Sequence, residues 1–500
     1  MTRRPPFSLA ALAALALAGA ACAPPSPAES APAPAAAAAP VDTTPARQQP
    51  PAPGPLRPYR LPPVEEFTLP NGLRVVAVRQ TGMPLVAGRV IVDAGAVHEP
   101  PAKAGLATLT GSLLAEGSRR LTGPQLAERM ERLGAQFQTG GGANLGFVGV
   151  TALKSAFPEA MRLAASTVTE PAFAAADFER LRGQAVAGFL QGRATVEGLA
   201  AESFARAVYA AGAPYARPAG GTAATLRGLT RADVVEWHRA RYGPATTTLL
   251  LVGDVAPDEA RRLATEAFGA WRGTARRIPS PASALRPVTG TRVILVDRPG
   301  SVQSSIRVGV GAVGAEDPEF FRMTALTQVL GGGFNARINQ NLRERHGWTY
   351  GAFAGLSALQ GVGTLAVSSQ VRTNATDSAL VESVGEFRRL AREMVPAEEM
   401  QGALGNLVGS FPASVQTVQG LAQRMQTAIV YGLPLDYYAT YRERLAAVTP
   451  AEAAEVAGRR INPEALTIVV AGDLSAIEAP IRARNLGAVE VWSPDGERVR

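Results

Sequence analysis

Arg343 and Tyr350 are the two residues of this chain whose types and spacing are best suited to chemistry. Both side chains donate hydrogen bonds, the arginine through a planar guanidinium and the tyrosine through its hydroxyl. They stand seven positions apart in the stretch LGGGFNARINQNLRERHGWTY, residues 330–350, with Gly347 marking a turn between them. Two donors on either side of a turn can point at one ligand, so the pair is a candidate site.

The elements that position this pair can be predicted from the same stretch. Gly331–Gly333 end an apolar segment, and helical spacing resumes after them, because Ile338 and Leu342 are four positions apart and share one helix face. Beyond Gly347 an alternating pattern that includes Tyr350 is typical of a strand. The predicted order is glycine segment, short helix, tight turn and strand.

Composition excludes some function classes. The chain has 500 residues, which predicts two or three domains, and its 46% hydrophobic and 18% charged residues are ordinary for a folded protein. The net charge is +8, but the basic residues are scattered among acids and aromatic residues make up only 6%. Nucleic-acid-binding proteins usually concentrate basic residues in a patch or stripe, so we expect no nucleic-acid partner.

The start of the chain, residues 1–22, predicts export. Arg3 and Arg4 form a basic start, residues 7–17 are apolar, and small residues follow. This is the pattern of a secretory signal, and it is too short for a stable membrane span. We therefore expect the protein in the periplasm or cell envelope.

Cys22 is the only cysteine, and it stands at the end of this signal. Its position resembles that of the lipidated cysteine of bacterial lipoproteins, although Gly19 occupies the place where leucine is preferred. Ordinary cleavage after Ala20, Ala21 or Ala23 is the alternative. We favour lipidation at Cys22 because an exported chain with one unpaired thiol is otherwise unusual, and we expect a membrane anchor.

The remaining chain divides by composition. Residues 23–63 are mostly Ala, Pro, Ser and Thr and predict an unstructured tether. A strand–turn–strand pattern starts at Val64. We predict domains over 64–272 and 290–482, a linker over 273–289 and a C-terminal tail over 483–500.

The two predicted domains repeat one another. RVVAV at residue 74 matches RVILV at residue 292, and Glu99-Pro100 matches Asp317-Pro318 at the same spacing along the chain. The Gly-Asp pairs at residues 253 and 472 keep this register to within one position. Two homologous tandem α+β domains explain this repeat. Each would be a mainly antiparallel sheet packed against helices on one face.

These tandem halves resemble the pitrilysin or insulinase family of metallopeptidases, the inverzincins, over residues 64–482. The resemblance lies in LGGG at residue 330 with LRERHGWTY at residue 342, and in VDAGAVHEPPAKAGLATLTGSLLAEGS at residues 92–118. The first stretch is similar to the family's second-half signature of a glycine-containing loop, an arginine and a tyrosine. The second is similar to the stretch that carries the zinc motif. The resemblance implies the tandem fold of processing peptidases.

The zinc motif itself is absent. The family's H-x-x-E-H supplies two histidine ligands and a glutamate general base from one helix. The corresponding residues here are Thr108, Leu109, Thr110, Gly111 and Ser112. The family's distal glutamate would fall near Ala187 and Gly188, and the three histidines, His98, His238 and His346, are widely separated. A catalytic zinc needs about three protein ligands, so we expect no metal in this chain.

This chain has Arg343 and Tyr350 but lacks the metal residues. In this respect it resembles one subunit of the family's heterodimeric members. There, the resemblance implies, a homologous partner carries the zinc, and this chain encloses a peptide or unfolded polypeptide in a shared chamber. The tyrosine hydroxyl would stabilise negative charge that develops on the peptide carbonyl oxygen. The arginine would bind the substrate backbone or orient the tyrosine. Five residues are candidate substrate contacts: Gly331, Gly332, Gly333, Phe334 and His346.

Several alternatives remain. The glycines could simply end a helix, and His346 could be a turn residue. We interpret His98 and His238 as structural, and Glu99 and Glu116 as solvated. A proteolytically inactive peptide-binding or assembly scaffold is the alternative function, as in core subunits of respiratory complexes. An independent enzyme is disfavoured, because no G-x-S-x-G motif occurs and the body has no cysteine nucleophile.

Overall fold

The two repeats of the sequence each form a six-stranded sheet. The computed structural model describes residues 59–281 and 283–500. The strands of the first half are β1 (Val64–Thr68), β2 (Arg74–Arg79), β3 (Leu85–Val92), β4 (Gly117–Ser118), β5 (Leu121–Thr122), β6 (Gln136–Gly141), β7 (Gly146–Leu153) and β8 (Thr247–Gly253). Those of the second half are β9 (Arg292–Asp297), β10 (Gln303–Ala312), β11 (Ala352–Ala358), β12 (Gly363–Arg372), β13 (Thr467–Gly472) and β14 (Ala488–Trp492).

Helices fill the connections between these strands. The first half contains α1 (Leu106–Leu113), α2 (Gly123–Arg132), α3 (Phe157–Thr169), α4 (Ala175–Arg193), α5 (Val196–Val208), α6 (Ala223–Gly228), α7 (Arg231–Arg241) and α8 (Pro257–Phe268). The second half contains α9 (Phe320–Gly331), α10 (Arg337–Asn339), a π-helical segment (Gln340–Arg345), α11 (Thr376–Arg392), α12 (Ala397–Ser414), α13 (Val418–Tyr431), α14 (Tyr441–Ala446), α15 (Pro450–Arg460) and α16 (Leu474–Ala483). Single turns of 3₁₀ helix occur at Ala96–His98, Pro101–Lys103, Leu114–Glu116, Pro214–Ala216, Pro244–Thr246, Thr373–Ala375 and Tyr437–Ala439.

The two sheets have equivalent strand orders when the second is read from its opposite edge, except at one edge, where β1 pairs antiparallel with β2 but β14 pairs parallel with β9. The first is β1-β2-β8-β3-β7-β6 and the second is β11-β12-β10-β13-β9-β14, while β4 and β5 pair separately. β2 begins at Arg74 and β9 at Arg292, the two positions that the sequence repeat makes equivalent. Three strand pairs, β2 with β8 and β9 with β13 and β14, are parallel, and the others are antiparallel. This confirms an α+β fold of two homologous domains built on mainly antiparallel sheets.

Each sheet is buried on both faces, which corrects the expectation that helices cover only one. In β2, Val75 and Ala77 belong to the core of their own half, whereas Val76 and Val78 belong to a core formed with the second half. This alternation follows from the two-residue period of a strand. Helix α13 of the second half packs on β3 and β8, and α5 of the first half packs on β10 and β13.

The two halves therefore exchange one helix each. Leu199 and Phe204 of α5 share an apolar cluster with Ile294 and Val469 of the second sheet. In the other direction, Arg89 of β3 donates hydrogen bonds of 3.0 and 2.9 Å to glutamine side chains of α13. An apolar stripe on a helix shows that one face is buried but not which sheet buries it. The exchange joins the halves through shared cores.

The N-terminal part of the chain also differs from the prediction where the structure describes it. The predicted signal, Cys22 and the tether up to residue 58 lie outside the described residues. Tyr59 contacts Phe411 edge-on with ring centroids 5.5 Å apart, so the last predicted tether residues pack on the body. In the part of the chain that the structure describes, no helix has the length and apolarity that crossing a membrane requires.

The predicted C-terminal tail is wrong over part of its length. Residues 488–492 form β14, which pairs in parallel with β9 at the edge of the second sheet. An ion pair of 3.0 Å between Arg292 and Glu490 joins the two strands. The short alternation of apolar and polar residues in AVEVW is the signal for this edge strand.

Candidate functional site

Arg343 lies in a short helix that follows α9 closely. α9 ends at Gly331, α10 begins at Arg337, and the helix continues as the π-helical segment Gln340–Arg345, which carries Arg343. The predicted short helix is therefore present, but most of it has π geometry. Single π turns occur frequently at functional sites because they alter the direction of a few side chains within a helix.

Tyr350 lies in the turn after this helix. Gly347 has a φ of +63°, the left-handed conformation that glycine adopts without steric strain. The Trp348 amide then donates a 3.0 Å hydrogen bond to the Leu342 carbonyl. β11 begins at Ala352, so Tyr350 precedes the strand, whereas the sequence pattern predicts it inside the strand.

Buried polar contacts fix this segment to the second sheet and its helices. Asn339, which is fully buried, donates to the Phe334 carbonyl at 2.7 Å and accepts from the Ala352 amide at 3.1 Å. Arg337 forms two 2.7 Å hydrogen bonds with the carboxylate of Glu399. Buried hydrogen bonds of this kind hold a loop in one conformation, although Nη1 of Arg337 has no partner in the described chain. The backbone under the candidate pair is therefore rigid.

The two candidate side chains point outward from this base. Tyr350 is 90% exposed, and its hydroxyl makes no hydrogen bond within residues 59–281 and 283–500. The Arg343 guanidinium lies 4.5 Å from the centre of the half-exposed Phe334 ring, and its Nε is 3.3 Å from Glu344. No hydrogen bond joins Arg343 to Tyr350 in the described chain. Both can donate hydrogen bonds to a molecule that approaches this surface.

The predicted glycine contacts are not equivalent to one another. Gly331 is buried, and a Cβ added to it would lie 2.2 Å from the Ala354 amide nitrogen, so this glycine serves close packing of α9 against β11. Gly332 is exposed and has the ordinary helical φ of −76°. His346 stacks on Trp348 with ring centroids 4.1 Å apart. Of the predicted substrate contacts, Gly332 and Phe334 are exposed, Gly333 and His346 are half-buried, and Gly331 is buried.

The helix that aligns with the zinc motif is α1, and its geometry excludes the motif's central glutamate. A Cβ added to Gly111 would lie 2.3 Å from the carbonyl carbon of Gly140, because α1 packs directly on β6. Thr108 donates to the Ala219 carbonyl at 2.9 Å, and Ser112 donates to the Thr108 carbonyl at 3.1 Å. Backbone contact at position 111 and hydroxyls at the ligand positions do not fit a zinc ion.

The histidines support the same conclusion. Among the residues that the structure describes, no group of three or more His, Cys, Asp or Glu side chains is arranged to hold a metal ion. His98 Nε2 lies 3.0 Å from Asp93, and His238 Nε2 lies 2.8 Å from the Val168 carbonyl. Burial lowers the pKa of His238 to about 4, so this imidazole is neutral at physiological pH. Both contacts agree with the interpretation that these histidines are structural.

Glu99 is buried, which corrects the expectation that it is solvated. Its carboxylate accepts hydrogen bonds from the backbone amides of Gly105, at 3.0 Å, and Ala107 at the start of α1. Burial raises the pKa of Glu99 to about 7, although the two amides oppose the shift. Glu116 is also not free, since its carboxylate lies 2.5 Å from Arg180. Local sequence shows these two carboxylates but not the distant residues that surround them.

A cleft between the two halves connects Glu99 with the Tyr350 turn. A cavity of about 640 Å³ is lined by both halves, and a cavity of about 430 Å³ lies beside Tyr350. The two share Arg307 and Ser368. Arg307 has a buried Nε without a hydrogen-bond partner in the described chain, and burial lowers the pKa of its guanidinium. Arg307 was not predicted as a cleft residue, although an arginine inside the apolar run of β10 was the available signal.

Family models match most of the folded body. Residues 74–203 match the model described as "Insulinase (Peptidase family M16)", and residues 228–407 match "Peptidase M16 inactive domain". An uncharacterized zinc protease of Mycobacterium tuberculosis is 25% identical over 367 residues, which are 73% of this chain and 83% of the relative. An uncharacterized zinc protease of Streptomyces coelicolor is 23% identical over 406 residues, 79% of this chain and 88% of the relative.

Solved structures agree in fold. A peptidase M16 inactive domain from Pseudomonas fluorescens matches with a TM-score of 0.77 and 24% identity, covering 83% of this chain and 99% of its own. A protease from Helicobacter pylori also has a TM-score of 0.77, with 18% identity over 82% of this chain and all of its own. The residues at the zinc-motif positions of α1 are not zinc ligands, and Gly111 packs directly on Gly140. This chain belongs to peptidase family M16 and is a member without the zinc motif.

Proposed function

We propose that this chain is the non-catalytic subunit of a heterodimeric zinc peptidase. It would supply Arg343 and Tyr350 to a homologous partner that carries the metal. The observation that carries the proposal is Tyr350, a 90% exposed tyrosine with an unpaired hydroxyl at the end of a rigid, hydrogen-bonded segment. Aromatic rings usually bury most of their surface, so an exposed ring on a fixed backbone is suited to a second surface.

The role of the pair follows from its donor chemistry. A peptide carbonyl oxygen gains negative charge as its carbon is attacked, and a donor that is already in place stabilises that charge. The Tyr350 hydroxyl would donate one such hydrogen bond. Arg343 keeps free N–H groups beyond its contact with Glu344, so it would bind the peptide backbone or orient the tyrosine. The partner would contribute the zinc ion, because α1 of this chain has no room for the motif.

The test combines this chain with an M16 homologue from the same organism that has an intact zinc motif. Size-exclusion chromatography and cleavage of an unstructured peptide library would be measured for each chain alone and for the mixture. We expect a one-to-one complex and cleavage in the mixture only. Chelator-sensitive cleavage by this chain alone would contradict the proposal.

A peptide-binding scaffold is the second candidate, because a cleft of about 640 Å³ exists within this single chain. It predicts that the chain alone binds unstructured peptides while every mixture with a zinc-bearing homologue stays inert. Fluorescence anisotropy with the same peptide library separates the two candidates. Binding without cleavage in any mixture would replace the peptidase proposal with the scaffold.

We further propose that the protein is exported and anchored through a lipid on Cys22. The support is the sequence pattern of residues 1–22. Metabolic labelling with a fatty acid should label the wild-type protein and not Cys22→Ser, and the wild type should fractionate with membranes. Equal labelling of both proteins, or none of either, would contradict the anchor.

A further inference from the structure

A separate cavity between the two halves has a lining whose charged residues are almost all arginines. Its volume is about 480 Å³, and it shares Arg217 with the cleft described above. Five arginines and one carboxylate line it: Arg206, Arg217, Arg286, Arg292, Arg498 and Glu490. Such an excess of arginines over carboxylates around one cavity is unusual, because cations that are partly removed from water are normally paired.

Two of these arginines are neutralised by carboxylates. Arg292 lies 3.0 Å from Glu490, and Arg206 lies 2.5 Å from Glu202. Arg217, Arg286 and Arg498 form no ion pair with a carboxylate in the described chain. Glu99 is near Arg217, but its two oxygens accept from backbone amides, and Arg217 donates to the Glu99 backbone carbonyl at 3.5 Å instead. The cavity therefore keeps an excess of positive charge.

Three guanidinium N–H groups around this cavity are also without partners. They are Nη1 of Arg217, Nε of Arg286 and Nη1 of Arg292, and each is buried and makes no hydrogen bond in the described chain. Leaving a buried donor unpaired is unfavourable, and more so when the donor is charged. These three donors come from different parts of the chain and belong to residues that line one cavity, where a ligand with several acceptor oxygens could pair with them.

We infer that this arginine-lined cavity binds an oxyanion. Carboxylate and phosphate oxygens match the planar donor fork of arginine, and both accept several hydrogen bonds at once. An acidic side chain of a bound peptide and a free phosphate are two sources of this chemistry. The inference does not depend on the proposed peptidase function, because the cavity is built from one chain and binding is measured without a partner.

Titration calorimetry of the full chain at low salt tests the inference. The probes are inorganic phosphate, a tetraglutamate peptide and an uncharged tetraglutamine peptide. We expect binding of an anionic probe but not of tetraglutamine, with an affinity that falls as salt is added. Tighter binding of tetraglutamate assigns the site to a peptide, and binding of phosphate alone assigns it to a free anion.

Variants locate the binding. Arg286→Gln should weaken it about tenfold or more, since a hydrogen bond to a charged group contributes about 1.5–3 kcal/mol. Arg498→Gln, at an exposed position, gives a second variant if Arg286→Gln does not fold. Arg132→Gln removes the same charge from an exposed ion pair elsewhere and should bind like the wild type. No anion binding, or equal weakening by Arg132→Gln, would overturn the inference.

Discussion

The two halves build the same sheet and place the same kind of helix on it, but the chain that follows this helix differs, and in the second half it presents Arg343 and the exposed Tyr350. In the first half, Gly111 of α1 packs on Gly140, and in the second, Gly331 of α9 packs on Ala354. Both glycines allow a helix to approach a strand more closely than a Cβ would permit. The comparison shows that Gly111 serves close packing of α1 in this chain, whereas the Arg343–Tyr350 segment is specific to the second half.

A second pair of residues, one in each half, also differs in its contacts. Arg89 of β3 and Arg307 of β10 occupy equivalent positions of the sequence repeat. Arg89 donates to Gln423 and Gln426, whereas Arg307 keeps a buried Nε without a partner in the described chain and lines the cleft. One arginine joins the halves, and the other is available to a ligand.

The largest expected effect comes from replacing the two closely packed glycines with alanine. Gly111→Ala and Gly331→Ala should each lower the free energy of unfolding by about 3 kcal/mol, because the new methyl group meets backbone atoms that cannot move aside. Urea denaturation followed by circular dichroism measures the change.

A matched glycine provides the control for that experiment. Gly188 lies on the exposed side of α4, and a Cβ there has no atom within 4 Å. Gly188→Ala should leave stability unchanged or raise it by about 0.5–1 kcal/mol, as expected in a helix. Wild-type stability of Gly111→Ala or Gly331→Ala would show that the corresponding helix does not depend on that close contact.

The next effect concerns Glu99 and its counterpart Asp317. The pKa of Glu99 is about 7 in the folded protein against an ordinary 4.5, so the folded state holds the proton more tightly than the unfolded state. Its contribution to stability is full below about pH 4.5 and is lost as the pH rises through about 7. The free energy of unfolding should therefore fall by about 3 kcal/mol across this range relative to Glu99→Gln.

The control is the equivalent carboxylate of the second half. Asp317 lies 3.6 Å from Arg460 and accepts from the Glu319 amide, so it has an ion-pair partner, whereas Glu99 forms no ion pair within the described chain. Asp317→Asn should keep the wild-type fall in stability as the pH rises from mildly acidic to neutral. A pH dependence that is the same in Glu99→Gln and the wild type would show that Glu99 is not its source.

The smallest expected effect distinguishes the two arginines. Arg89→Gln should lower the free energy of unfolding by about 1–2 kcal/mol, because it breaks two hydrogen bonds to α13. Arg307→Gln should change stability by less than about 0.5 kcal/mol and should weaken peptide binding in the cleft. Denaturation and anisotropy measure the two properties, and a reversed pattern would refute the division of roles.

Much of the fold was predictable from the sequence because short local patterns indicate its strands, helices and turns. The repeat placed β2 and β9 in equivalent positions, and the spacing around Gly347 predicted the helix and turn that carry Arg343 and Tyr350. The exchange of α5 and α13 was not predictable, because the apolar stripe of a helix does not show which sheet the helix packs on. The burial of Glu99 and the arginine-lined cavity depend on residues far apart in sequence, which local reasoning does not bring together.

The most direct test of the central claim is peptide cleavage by the mixture of this chain with its zinc-bearing homologue, with Tyr350→Phe in place of the wild type. Removing an oxyanion donor should lower kcat about a hundredfold or more. Tyr59→Phe is the matched control, because its ring contact with Phe411 does not need the hydroxyl. A large loss in Tyr350→Phe alone is the predicted result. Equal activity of Tyr350→Phe and the wild type would contradict the claim.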